Sequence, residues 1–542
     1  MNSTGLVRGA LAALVCLLAA PAGAQSFRVQ CPSGTVLHPL VNASGQVGKP
    51  DSTLPNPHIK CQQISGGDGF ATMGDGNQIY MFSFGPLSGL ANMVKGLPGT
   101  VTAAEFNQNN LDADGNVRAA IQIGAPYAGY DFNGAIGLVP DPESVPVNQI
   151  DGHVDPRLIM DVGVLNGNIP APLIAIDEGD ELFLTLTNVG MVMRPDLFEQ
   201  HTVHFHGYAN ASSFYDGVPD ASVAINIGGS FTYYYLAPEP GTYMWHCHIS
   251  PPEHLQMGMV GQIYVRPRQN TLTKGTDLVT ELQNANKKAY FSASLPADAG
   301  TACNDILCAG QTPLPALPAN AAHPTASGQL YAYNDGDGST AYDVEYPIQM
   351  HGFDPNFHFV GMTFNPESFT DNKDKYFLLN GRSYPDTVNP KAMTTQSTDG
   401  MERTSQPLPS VINIPQGGRA LLRFSDLNVT EYHSLASLGI RMHVIGQNAR
   451  LLRDADGNNT DYYTNSITLA GGESIDVLLE ATCKAQVGPG GSCATADQYQ
   501  VGEKYYLYTP QLDHLSNDAE NFGGMMTEVN ICAAVTADKS CT

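Results

Sequence analysis

Positive charge is scarce in this sequence: 26 Lys and Arg stand against 52 Asp and Glu, a formal net charge of −26. That balance excludes a binder of the nucleic-acid backbone, whose affinity needs a basic stripe to displace counterions. Charged residues of either sign make up only 14% of the chain and hydrophobic ones 42%, which excludes global disorder. Long apolar runs are missing as well. The longest, Ala10 to Ala20, falls short of the ~20 residues a bilayer needs, so no membrane span is expected. What is plentiful is turn and strand material: 55 Gly and 37 Pro beside 24 Tyr and 20 Phe, a mixture that suits an all-β chain. At ~150 residues per domain, the 542 residues predict two to four domains.

Arg8 precedes the apolar run and Ala22-Gly23-Ala24 follows it as a small-residue cleavage site. This reads as a secretory signal peptide over residues 1–24 and predicts a secreted or periplasmic protein. The cysteines agree. Of ten, Cys16 falls in that segment, and eight others form locally spaced pairs: Cys31 with Cys61, Cys303 with Cys308, Cys483 with Cys493 and Cys532 with Cys541. An oxidising compartment would close such pairs as disulfides. The remaining thiol, Cys247, sits between two histidines, and an odd thiol in an exported chain needs a reason to stay unpaired. Copper supplies one.

Half-buried strands are legible in Leu182-Phe183-Leu184-Thr185-Leu186-Thr187 and in Ala420-Leu421-Leu422-Arg423-Phe424, where apolar side chains alternate. The chain also repeats itself. Ile176-Asp-Glu-Gly179 matches Ile414-Pro-Gln-Gly417, and Gly241-Thr-Tyr243-Met-Trp245 matches Gly502-Glu-Lys-Tyr505-Tyr506. His254-Leu255 with Gly258-Met259 matches His514-Leu515 with Gly524-Met525. An offset of this size means duplicated domains and not a solenoid. The copies differ at one point: His246-Cys247-His248 in the first corresponds to Tyr508-Thr509-Pro510 in the second. The expected organisation is a signal peptide (1–24), an N-terminal extension holding the first strand, Ile79 to Phe84 (25–165), a metal-bearing domain (166–269), a linker or insert (270–370) and a second domain lacking the thiolate (371–542).

Six of the fifteen histidines fall between residues 201 and 254, around the lone thiol. In a strand His204 and His206 point to one side, as do His246 and His248, while Cys247 points to the other. A thiolate can then bind one metal while its covalent neighbours bind others ~10 Å or more away. A soft thiolate with imidazoles and a thioether matches a blue-copper site. The equatorial ligands are read as His201, Cys247 and His254 and the axial ligand as Met259, with Met257 a lesser axial candidate and a core residue first. Zinc is the competing metal, but structural zinc sites favour closed Cys-rich sets.

His201-Thr-Val-His204-Phe-His206-Gly207 and His246-Cys247-His248 with His254 and Met259 resemble the H-x-x-H-x-H-G and H-C-H…H…G-M segments of the multicopper oxidase family and its cupredoxin relatives, including copper nitrite reductases. The resemblance implies two cupredoxin-like Greek-key β-barrel or sandwich domains. It implies type 1 copper at His201, Cys247, His254 and Met259, and a type 2/type 3 cluster faced by His204, His206, His246 and His248. The activity it implies is copper-dependent oxidation of a small-molecule or metal-ion reductant, or of a redox protein, coupled to reduction of a small acceptor such as dioxygen.

The seven positions from Cys247 to His254 exceed the usual laccase spacing, and Ser250-Pro251-Pro252 resembles the longer Pro-rich loop of copper nitrite reductases. The second copy offers no H-x-H pair for the rest of a trinuclear cluster, only His351, His358, His433, His443 and His514. The alternative is therefore a mononuclear type 2 copper on His206 and His246, with His514 as a candidate third ligand from a neighbouring subunit. Arg441-Met442-His443-Val444-Ile445-Gly446 resembles the stretch bearing the catalytic histidine of the nitrite reductases, which makes His443 the candidate catalytic residue. A third alternative is an electron-transfer protein with one blue copper and no second centre. A half-site in one copy predicts a closed cyclic oligomer, a homotrimer being the leading choice. The Asp-rich runs at Asp112, Asp335 and Asp454 lack the bidentate Glu of a calcium loop and read as turns.

Overall fold

The computed structural model describes residues 29–107, 164–272 and 330–542, apart from residues 208–211, 238, 364–368, 399, 455–456 and 486–491, together with residues 278, 281 and 282. The expected signal peptide, the Asp112 run and most of the expected linker lie outside the described residues.

Two β-barrels make up the described chain, each from two sheets packed face to face. The first contains β1 (Ile59–Thr72), β2 (Gln78–Pro86), β3 (Val101–Thr102), β4 (Ile174–Asp177), β5 (Glu181–Gly190), β6 (His204–Phe205), β7 (Ser230–Leu236), β8 (Gly241–His246) and β9 (Val260–Arg266). One sheet runs β2-β1-β5-β7 with β3 beside β1, and the other runs β4-β9-β8-β6. Alternation drives the closure: Leu182, Leu184 and Leu186 on β5 are buried against Ile64, Phe82, Phe84, Tyr233 and Trp245.

The second barrel contains β10 (Leu330–Tyr331), β11 (Ala341–Tyr342), β12 (Val344–Phe353), β13 (Tyr376–Leu379), β14 (Met393–Gln396), β15 (Glu402–Gln406), β16 (Ile412–Pro415), β17 (Arg419–Asp426), β18 (His433–Leu438), β19 (Met442–Gln447), β20 (Arg450–Leu451), β21 (Tyr462–Thr464), β22 (Ser466–Leu469), β23 (Glu473–Glu480), β24 (Lys504–Tyr508) and β25 (Met526–Cys532). Its sheets run β13-β12-β17-β23-β19-β20 and β16-β25-β24-β18-β22. The pairings repeat those of the first barrel. Parallel β12·β17 matches β1·β5, parallel β16·β25 matches β4·β9, and antiparallel β18·β24 matches β6·β8. This is the all-β, duplicated cupredoxin-like architecture.

Two boundaries differ from expectation. The stretch read as an extension with a single strand, Ile79 to Phe84, also supplies β1, which lies centrally between β2 and β5. Gly66, Gly67 and Gly69 break its alternation because other chain segments approach them closely: a Cβ on Gly67 or Gly69 would meet backbone atoms at 2.9 Å. The stretch read as linker, 270–370, contains β12, whose Tyr346, Ile348 and Met350 fill the second core. Pro347 hid it, since proline argues against a central strand, yet β12 lies between β13 and β17.

Three of the four expected disulfides are present, Cys31–Cys61, Cys483–Cys493 and Cys532–Cys541, and Cys247 is the free cysteine among the described residues. The fourth expected disulfide, Cys303 with Cys308, lies outside the described residues. No helix of the described residues is long and apolar enough to cross a membrane.

The barrels meet across a buried polar seam. Arg266 of β9 donates to Glu345 at 2.6 Å, Arg423 of β17 donates to the same carboxylate at 3.1 Å, and Gln262 of β9 donates to the Arg423 carbonyl at 2.8 Å. Burial alone would raise the Glu345 carboxyl, but the two guanidiniums outweigh it and hold it at about 2. Its ionised form therefore stabilises the fold above the ordinary value of 4.5, and that stability is lost as pH falls through about 2. Glu345→Ala, which leaves both arginines without this counter-charge, is expected to cost about 3–5 kcal/mol. Denaturant unfolding at neutral pH reads that loss, and the gap to the parent narrows as pH falls from 4.5 toward 2.

Candidate metal centre

The end of β8 carries the site. Chain alternation turns His246 and His248 toward His204, and Cys247 toward the barrel interior. The Cys247 N–H donates to the Met259 carbonyl at 3.2 Å, and the Met259 N–H donates to the His254 carbonyl at 2.8 Å. Those bonds fold Cys247, His254 and Met259 onto one another through a short helix, Pro251–Gln256, that Ser250 starts from a left-handed conformation (φ 38°). The extra Ser-Pro-Pro residues build this helix.

His254 Nδ1 lies 3.2 Å and His201 Nδ1 3.9 Å from the Cys247 sulfur, and all three residues are fully buried, as is Met259. The Thr202 N–H donates to the same sulfur at 3.4 Å. Burial would raise the thiol, but the imidazoles of His254 and His201 outweigh it and hold Cys247 well below its usual value, favouring thiolate. Met257 is turned away, its thioether 3.2 Å from where a Cβ on Gly361 would sit. It packs in the core.

The second group lies on the other side of the same strand. His204, His206 and His246 bring ligand atoms within 4.8 Å of one another, and the His248 ring centroid is 4.9 Å from that of His204. Backbone carbonyls fix two of the rings. His204 Nδ1 donates to Asp216 and His246 Nδ1 to Cys247, both at 2.7 Å, which leaves each Nε2 as a bare lone pair. His206 is bonded to the backbone of Gly472, and its Nε2 faces that of His246 at 2.9 Å. Burial pushes His206 down to about 4 and His246 to about 3, so both rings are neutral at neutral pH, the form that ligates metal.

Two neutral imidazole nitrogens facing each other at this distance can share one N–H as a hydrogen bond or, with both lone pairs free, converge on a cation. Copper fits both sites: a thiolate, two imidazoles and a thioether at one, and imidazoles alone at the other. The first set lacks the further thiolates that a closed structural zinc site favours.

His443 and His514 do not join either group. His443 lies on β19, between Glu480 at 3.3 Å and Asp461 at 3.0 Å, with its ring stacked on Tyr463. His514 is buried in the second barrel, stacked on Phe377 and bonded to Glu431 at 2.9 Å. Three residues near the sites were not read from the sequence. Glu199 Oε2 lies 3.7 Å from His254 Nε2, the Asp216 carbonyl orients His204, and Gly66 gives room to the His201 ring. None belongs to a motif, and Gly66 lies far away along the chain.

Two cupredoxin-like barrels, one with a thiolate–imidazole pocket at the end of a strand, present the donor set of a blue-copper site. A model of the family described as multicopper oxidase matches residues 150–270 of this chain. Similar proteins include the laccase abr2 of Aspergillus fumigatus, 35% identical over 108 residues, which are 20% of this chain and 17% of the relative. The multicopper oxidase MmcO of Mycobacterium tuberculosis is 40% identical over 81 residues, 15% of this chain and 14% of the relative. The matched stretch thus spans less than a fifth of either relative. Among solved structures, a blue copper oxidase from Nitrosomonas europaea aligns over 87% of this chain and 85% of its own, with 16% identity and a TM-score of 0.45.

A Cβ at position 66 would come within 2.7 Å of the His201 ring. Gly66→Ala is therefore expected to displace that ligand and weaken copper retention about 10–100-fold, as loss of a ligand's support does. Copper titration followed by the visible spectrum measures it, and unchanged retention would show that the ring is free to move.

Proposed function

We propose that this protein is an exported copper oxidoreductase that takes electrons from a reducing substrate at the Cys247 site and delivers them to a small acceptor such as dioxygen at the histidine cluster. When bound, copper supplies reversible one-electron chemistry at each site. The polypeptide supplies the connection. Cys247 belongs to one site and its covalent neighbours His246 and His248 to the other, so a few bonds join the two. This single observation carries the reading, because a lone blue-copper carrier has no use for four histidines gathered behind its cysteine. Burial excludes water from the thiolate, and Glu199, part exposed and 3.7 Å from His254 Nε2, marks the side where a reductant comes nearest a ligand. A phenol, a low-valent metal ion or a redox protein suits that role. The disulfides fit export to an oxidising compartment.

Among the described residues the histidine cluster is open on one side, where His204, His206 and His248 are only half-buried. That opening supports completion by a neighbouring subunit in a closed homotrimer. A second reading has its own support: His204, His206 and His246 already converge within one chain, which suffices for a mononuclear type 2 copper.

Metal analysis with paramagnetic resonance on the purified holoprotein tests the function. A type 1 signal together with a second copper centre and substrate-dependent acceptor reduction are expected, and both type 1 signal and turnover should vanish in Cys247→Ser. Blue absorption surviving that substitution would remove the assignment. Light scattering should report a trimer for the shared-cluster reading, whereas a monomer with a complete cluster would overturn it.

A further inference from the structure

The second barrel repeats the ligand scaffold of the first, and what it retains is selective. In the first barrel His204 pairs with His246, and in the second Ala436 pairs with Tyr508. Counted from those pairs, His433 takes the place of His201 and Thr509 the place of Cys247. The loop that follows repeats too. The Thr509 N–H donates to the Met525 carbonyl at 2.9 Å and the Met525 N–H to the His514 carbonyl at 3.1 Å, so His514 and Met525 stand where His254 and Met259 do. The four cluster positions have become Ala436, Leu438, Tyr508 and Pro510. The second copy has lost every cluster histidine but kept both imidazoles and the thioether of the other site.

It has also gained a carboxylate. Asp426 ends β17 where Asn188 lies near the end of β5, and each side chain accepts the backbone N–H two residues on, at 2.7 Å in Asp426 and 3.0 Å in Asn188. The other Asp426 oxygen lies 3.1 Å from His433 Nδ1. The rings of His433 and His514 are 5.9 Å apart, against 5.4 Å for His201 and His254, and both residues are buried. Glu431 holds His514 at Nε2, so its buried Nδ1 is left without a hydrogen-bond partner. In the first barrel the same atom of His254 faces the thiolate. Where the first barrel sets a thiolate beside both imidazoles, the second sets a carboxylate, Asp426, beside His433.

We propose that the second barrel holds a metal ion of its own, bound by His433, His514 and Asp426 with Met525 adjacent. Imidazole and carboxylate donors suit a divalent first-row ion, and among these Cu²⁺ is held most tightly. Without a thiolate such a site gives no intense blue colour. The site does not depend on Cys247 and stands or falls separately from the proposed oxidoreductase activity.

The test uses the full chain and Cu²⁺ alone. Relative to the parent, the pair His433→Gln with His514→Gln should lose one copper per chain and one non-blue paramagnetic signal, while the blue absorption due to Cys247 is unchanged. In a Cys247→Ser chain, which has no blue centre, adding Thr509→Cys places a thiolate facing the two imidazoles and should create a charge-transfer band. That arm decides alone if the histidine pair fails to fold. Copper content unaffected by the paired substitution, or a colourless Thr509→Cys chain, overturns the proposal. Loss of blue absorption from the parent itself would count against the Cys247 assignment only.

Discussion

Everything in the first barrel follows from an extended chain presenting successive side chains to opposite faces. At His246-Cys247-His248 that rule sends one sulfur into the barrel core and two imidazoles out toward a cluster. Neither site could be moved without moving the other, because they share a backbone. The rest of the barrel serves to hold this tripeptide: β6 aligns His204 with His246, the Met259 carbonyl receives the Cys247 N–H, and β1 leaves space for His201.

The barrel core and the histidine cluster pull the ligands in different electrostatic directions. Around Cys247 burial alone would favour the neutral thiol, and the facing imidazoles reverse that preference. In the cluster burial acts almost unopposed and keeps His206 and His246 neutral. One pocket is thus prepared as a thiolate paired with the His254 imidazole, which is pushed up to about 10, and the other as a set of lone pairs. Both preparations favour a cation, and they account for why a soft sulfur and hard-to-protonate imidazoles lie so close together without neutralising one another.

Much of this could be read from the sequence because the chemistry is local along the chain. H-x-x-H-x-H and H-C-H need no knowledge of the fold to be recognised, and the duplicated Gly-punctuated segments disclosed the second barrel. What could not be read depends on pairing between distant segments. β1 was hidden because its glycines answer to His201 and Gly190 and not to a period of two. β12 was hidden by Pro347. His443 sits in a motif that resembles a catalytic stretch, yet two carboxylates and a tyrosine ring occupy its surroundings. The equivalence of His433 with His201 needs the strand register, since no motif surrounds His433.

The short helix Pro251–Gln256 brings His254 to the thiolate, and it also reaches across the seam. Gln256 donates to Asp374 at 2.7 Å in the second barrel, and its carbonyl accepts from His358 at 2.9 Å. His254 cannot swing outward without tearing those bonds. The stiffness of the ligand loop is therefore a property of the docked pair of barrels, and a chain with its barrels prised apart would hold the same residues in a looser grip.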